Sequence, residues 1–195
     1  MRNARPALFS SREVEKMRAD AARNRARVLE VAYDTFATDG LGVPIDEIAR
    51  RAGVGAGTVY RHFPAKEDLF RAVIEDRMRN IVDEGRALLD ADPAGGIFTL
   101  MRAMVLEWGA TDRGLVEAFA GAGVDINRAV PEAEAEFLGM VADLLAAGQA
   151  AGTVRADVSV PEVKGLVVGL QAMQAYNSAV AETGLAVVFD GLRAK

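Results

Sequence analysis

The 195-residue chain has no Cys and a single His, with 51% apolar and 26% charged residues, the balance of a soluble globular protein of one or two domains. The absence of Cys excludes disulfides, thiolate metal sites and thiol sensing, and His62 alone cannot make a multi-His metal centre, so no metal, cofactor or catalytic site is expected. The net charge of -5 is uneven: residues 1–80 carry 15 basic and 12 acidic side chains, the remainder 8 and 16.

That asymmetry fits a polyanion-binding front on a body that binds something else, and equally a solvated basic helix face. The opening residues, with Arg2, Arg5 and Arg12, hold no apolar run of targeting or membrane-spanning kind. A cytoplasmic protein with no membrane partner is expected. The first helix is predicted over 22–39, where Val28, Leu29, Ala32 and Phe36 recur at helical spacing until Gly40 ends it. A second follows over 45–52, with acids in its first turn, arginines in its last and Gly53 as its stop. Pro64 closes a short segment over 54–63, and residues 66–90 read as one long helix. Asp92, Pro93, Gly95 and Gly96 mark the next loop. Further helices are predicted near 97–110, 113–122, 131–150, 161–181 and 184–193. Nothing sustains the period of two that a strand requires, so the fold class is all-α.

Ile48, Ala49, Ala52, Gly53, Val54 and Val59 have the spacing of a helix-turn-helix. Small Ala49 lets a second helix cross closely, and Gly53 is free to take the left-handed turn conformation. A purely structural helical hairpin shares this pattern.

Residues 27–73 (RVLEVAYDTFATDGLGVPIDEIARRAGVGAGTVYRHFPAKEDLFRAV) closely resemble the TetR family of transcriptional regulators. The most specific piece is Gly57, Thr58, Val59, Tyr60, Arg61, His62, Phe63 and Pro64, followed by Lys66, Glu67 and Leu69. The resemblance implies a three-helix DNA-binding head, placed at residues 1–65, and a larger helical body for effector binding and dimerisation, placed at 66–195. It also implies a non-enzymatic repressor that binds a palindromic double-stranded DNA operator as a homodimer and is released by a small molecule. DNA contacts are expected from Ala56, Gly57, Thr58, Tyr60, Arg61, His62 and Lys66. Glycines let backbone approach the duplex, Thr58 offers a hydroxyl and a methyl, Tyr60 and His62 offer hydrogen-bond groups, Arg61 reads base edges, and Lys66 neutralises a phosphate. Two positions depart from the family pattern: Pro44 and Gly55 stand where Ser or Thr is common, which removes two hydroxyl contacts. They motivate an alternative, a helical module that binds a hydrophobic ligand and carries a vestigial DNA head.

The acidic part has no phosphate loop and no nucleophile paired with a base. Glu132, Glu134 and Glu136 are two apart on a predicted helix and so do not share one face as an acid–base group. What it offers is aromatic and Met bulk interleaved with polar groups, which suits a cavity for a small apolar or amphipathic effector. Met101, Arg102, Val105, Trp108, Phe137, Met140, Met173 and Tyr176 are the expected lining, with Gln171 nearby. The last two helices carry Val163, Leu166, Val167 and Leu170, then Leu185, Val187, Val188, Phe189 and Leu192. That is more apolar surface than one chain needs to bury, so the homodimer is expected to form through them.

Overall fold

A computed structural model describes residues 11–121 and 129–195. Arg2 and Arg5 of the expected basic arm lie outside the described residues. Those residues form helices α1 (Ser11–Asp39), α2 (Ile45–Ala52), α3 (Ala56–His62), α4 (Lys66–Ala91) and α5 (Gly96–Arg102), then a π turn (Ala103–Glu107). After it come α6 (Gly109–Gly121), α7 (Pro131–Ala150), α8 (Val160–Tyr176) and α9 (Ser178–Leu192). No strand occurs among the described residues, only an isolated bridge between Val154 and Arg193. None of their helices is long and apolar enough to cross a membrane.

Three helix boundaries differ from expectation, each for a physical reason. α1 begins eleven residues before the predicted start. Apolar periodicity starts only near Val28, but the stretch before it is made of residues with good helix propensity and holds no Gly or Pro to stop the helix. The predicted helix over 97–110 is interrupted by the π turn, where Trp108 N–H reaches back to the Ala103 carbonyl at 2.9 Å. The break between the last two helices falls at Asn177, whose side chain caps α9 by accepting from Ala179 N–H at 3.1 Å. The predicted break at 182–183 lies inside α9, as does Gly184. A Cβ there would collide with Met173, so this glycine allows α8 and α9 to approach closely.

Two apolar cores lie along the long α4. The head core gathers Val28, Leu29, Ala32 and Phe36 of α1, Ile48, Ala49 and Ala52 of α2, Val59 of α3, and Leu69 and Val73 of α4. It also takes in Leu115 and Phe119 of α6. The body core starts at Ile81 and joins α4, α5, α7, α8 and α9 through Leu100, Met101, Leu144, Val167 and Leu185.

Candidate functional site

The turn between α2 and α3 sets the direction of α3. Gly53 takes φ 68°, its N–H donates to Arg50 O (3.2 Å), and Val54 N–H donates to Ala49 O (3.0 Å). These crossed bonds close the end of α2 and turn the chain sharply. No side chain caps either helix, because Pro44 and Gly55 occupy the cap positions. α3 is instead held by its packing: Val59 is fully buried and Phe63 is 3% exposed just beyond its end.

With Val59 turned inward, most of α3 faces water. Gly57, Tyr60, Arg61 and His62 are exposed, and Ala56 and Thr58 are half-buried. Lys66, the first residue of α4, holds its ammonium 5.7 Å from the centre of the Phe70 ring. The seven expected DNA-contact residues thus fall on α3 and the start of α4. Arg50 and Arg51 nearby are differently employed. Both bond Glu47, at 2.7 to 2.8 Å, and Arg51 also reaches Asp39 of α1 at 2.6 Å. The hydrogen bonds from Arg50 and then Arg51 hold the Glu47 carboxyl down to about 2. Among the described residues, Arg61 has no such carboxylate partner.

In the body, α5, α7 and α8 enclose a cavity of about 110 Å³. Ile97, Leu100, Met101 and Met104 form one wall, Phe137, Leu138 and Val141 the second, and Val163, Val167 and Val168 the third, with Lys164 and Gln171 as its polar members. The Lys164 ammonium pairs with Glu134 of α7 at 2.6 Å. The Gln171 amide donates to Met104 O in the π turn at 3.0 Å.

Of the eight expected lining residues, the structure brings Met101 and Phe137 to this cavity. Val105 and Met140 are buried in the surrounding core, Met140 over Gly85 of α4. Arg102 points outward to Glu182 at 2.9 Å, and Met173 packs against Gly184. Tyr176 is 91% exposed at the end of α8. Lys164, missed by the sequence reading, lies seven residues before Gln171 on the same face of α8, and a polar pair at that spacing on an apolar helix was the available signal.

Trp108 instead belongs to a polar joint between head and body. The Arg77 guanidinium of α4 lies 4.6 Å from its ring centre and donates two hydrogen bonds, both 2.8 Å, to the Asp112 carboxylate of α6. Tyr33 of α1 donates its O–H to the same carboxylate at 2.6 Å. Burial pulls the Arg77 guanidinium down, but its hydrogen bonds to Asp112 together with the attraction of that carboxylate and of neighbouring groups raise it overall, so it stays charged. Burial and then the Asp112 bond push the Tyr33 phenol up, which keeps it a neutral donor. Beside this cluster Phe36, Phe70 and Phe119 stack edge to face, with ring centres 4.8 and 5.5 Å apart. Gly114 of α6 passes so close to α1 that a Cβ would stand 2.6 Å from Ala37 O.

Residues 28–73 match the family model for bacterial regulatory proteins of the tetR family, and residues 92–194 match that for the SbtR-like transcriptional regulator C-terminal domain. A TetR regulatory protein from Mycobacterium vanbaalenii is 58% identical, with a TM-score of 0.77, over 91% of this chain and 99% of that one. A TetR transcriptional regulator from Streptomyces coelicolor is 28% identical, with a TM-score of 0.73, over 88% and 99%. An HTH-type transcriptional regulator of Staphylococcus aureus is 36% identical over 75 residues, 38% of this chain; the matched stretch spans only 40% of that relative's length.

Proposed function

The chain belongs to the TetR family of bacterial transcriptional regulators, and from that premise we propose that it is a dimeric repressor that binds a palindromic operator and is released by a small apolar or amphipathic effector. The observation that carries the DNA reading is α3, which buries only Val59 and turns Gly57, Tyr60, Arg61 and His62 outward. In this reading Arg61 contacts base edges, Ala56, Gly57 and Thr58 let the backbone approach the groove, and Tyr60, His62 and Lys66 hold phosphates. The head is residues 1–65 and the body 66–195, with the start of α4 completing the head core.

The second subunit packs on the outer face of α8 and α9. Val187 is 67% exposed there, Val168 at the edge this face shares with the cavity wall is 57% exposed, and Gly165, Gly169 and Gly191 have open space above them. Such a small-residue, apolar face lets two helix pairs meet closely about a two-fold axis. The dimer then presents two α3 helices to half-sites about 34–36 Å apart, or a multiple of that.

Release works through spacing. An effector that binds the spread dimer better than the DNA-bound one shifts the population away from the operator. Its cavity shares Met104 with the π turn, that turn ends at Trp108, and Trp108 rests on the Arg77–Asp112–Tyr33 joint to α1. This contiguous path supports coupling between the effector and the head.

The test is binding of the purified protein to duplex DNA flanking its own coding region, titrated across salt. A two-fold symmetric footprint is expected, with log affinity falling about 0.9 per phosphate contact for each unit of log salt, and with binding lost in Arg61→Ala. A protein that binds no duplex at any salt concentration, while its cavity still takes ligands, is a hydrophobic-ligand module with an idle head instead.

A further inference from the structure

The charges around the cavity say which end of an amphipathic molecule it accepts. Ten of its lining residues are apolar, Gln171 is neutral, and Lys164 is the only charged one. Seven residues of α8 separate Lys164 from Gln171, which places the two polar groups about 10 Å apart along the helix axis. The Lys164–Glu134 pair links α7 to α8 at one end of the cavity, and the Gln171 amide links α8 to the π turn at the other.

Lys164 lines the cavity with its apolar stem and carries its ammonium to the edge, where Glu134 holds it, so a cationic head at that edge meets an ammonium already in place. An anionic ligand meets the opposite situation. The Lys164 ammonium has three N–H donors, of which Glu134 Oε1 takes one. Its side chain is 42% exposed, so it has room to turn toward an incoming group. Removed from bulk water on one side, the ammonium favours a compact anion over a neutral hydroxyl.

We infer that the effector is an apolar carboxylate, a short to medium aliphatic or aryl-alkyl acid whose apolar part fills the cavity and whose carboxylate bonds Lys164 in competition with Glu134. This rests on the reading of the cavity as the effector site. The cavity is of the same order as an apolar void of about 150 Å³ that takes a benzene ring, which sets the size of the buried part. Glu134 then acts as a built-in competitor that occupies Lys164 while the cavity is empty.

The test is calorimetric titration of the full chain at neutral pH and constant ionic strength with hexanoate, hexanol and hexylammonium, which share one apolar chain and differ in the head. Hexanoate is expected to bind about tenfold tighter than hexanol, the size of a charge-assisted hydrogen bond, with hexylammonium the weakest. Lys164→Met keeps the apolar stem and is expected to erase the preference for hexanoate over hexanol. Lys164→Arg is expected to retain the preference, and Glu134→Gln to strengthen hexanoate binding by removing the competitor. Equal affinity for hexanoate and hexanol, or tightest binding of hexylammonium, overturns the carboxylate assignment and leaves the effector cavity standing. If none of the three binds, the cavity reading falls with it.

Discussion

The α1–α6 joint and the outer face of α8 and α9 are two surfaces of one chain, and they are finished to different degrees. At the joint, three Phe rings stack edge to face, Gly114 lets α6 come down on Ala37, and the Asp112 carboxylate accepts from both Arg77 and Tyr33. On the outer face Val168, Val187 and Tyr176 stand in water above glycines with nothing over them. The first surface is saturated by its own chain. The second is left open, and it is the face that the proposed dimer buries.

The largest expected effect breaks the saturated surface. Asp112→Ala leaves the Arg77 guanidinium, 18% exposed, without its carboxylate, and losing one partner of a largely buried ion pair costs about 3 kcal/mol. Urea unfolding of a single subunit is the check; a loss under about 0.5 kcal/mol, the scale of an ordinary surface change, would mean that the joint contributes nothing to the fold. The same variant is expected to weaken the linkage between effector and DNA affinity, which operator titrations with and without effector measure.

On the outer face the ranking inverts. Val187→Lys is expected to change the stability of one subunit by no more than about 0.5 kcal/mol, because the side chain is 67% exposed. Sedimentation is expected to show the dimer lost, since two like charges then face each other across the axis. A dimer that survives the substitution places the interface elsewhere.

The smallest effect lies within the head and depends on pH. Glu47 is held at about 2 in the folded chain, against an ordinary 4.5, by Arg50 and Arg51. A carboxyl depressed by folding stabilises the fold above its unfolded value, and that contribution is lost as pH falls from about 4.5 through about 2. The advantage of the native chain over Glu47→Gln in denaturant is therefore expected at neutral pH and should fade across that acid window. Because the group is exposed, the difference is small. A difference that holds constant down to the acid limit would assign Glu47 a role other than its ion pairs.

Legibility in the sequence follows the range of the interactions. The head could be read because its signals are local: Gly53 ends α2, Ile48 and Ala49 pack on Val59 about ten residues on, and Tyr60, Arg61 and His62 are exposed in succession. The cavity was legible only as a composition. Met101 and Phe137 line it, whereas Arg102 and Tyr176 turn outward, because which face of a helix points inward depends on neighbours distant in the chain. The joint had no sequence signal at all: Tyr33 and Asp112 are 79 residues apart, and Arg77 and Asp112 35.

Helical periodicity, glycine stops and a contiguous motif, each acting over a few residues, are enough for the all-α class, the helix-turn-helix and its outward residues. Only the tertiary structure decided the π turn, the close passage of Gly114 and Gly184, the two polar links that bound the cavity and the Arg77–Asp112–Tyr33 joint. Each of these exists because two helices far apart in the chain are pressed together, and there the packing of both, rather than the preference of either, sets the local conformation.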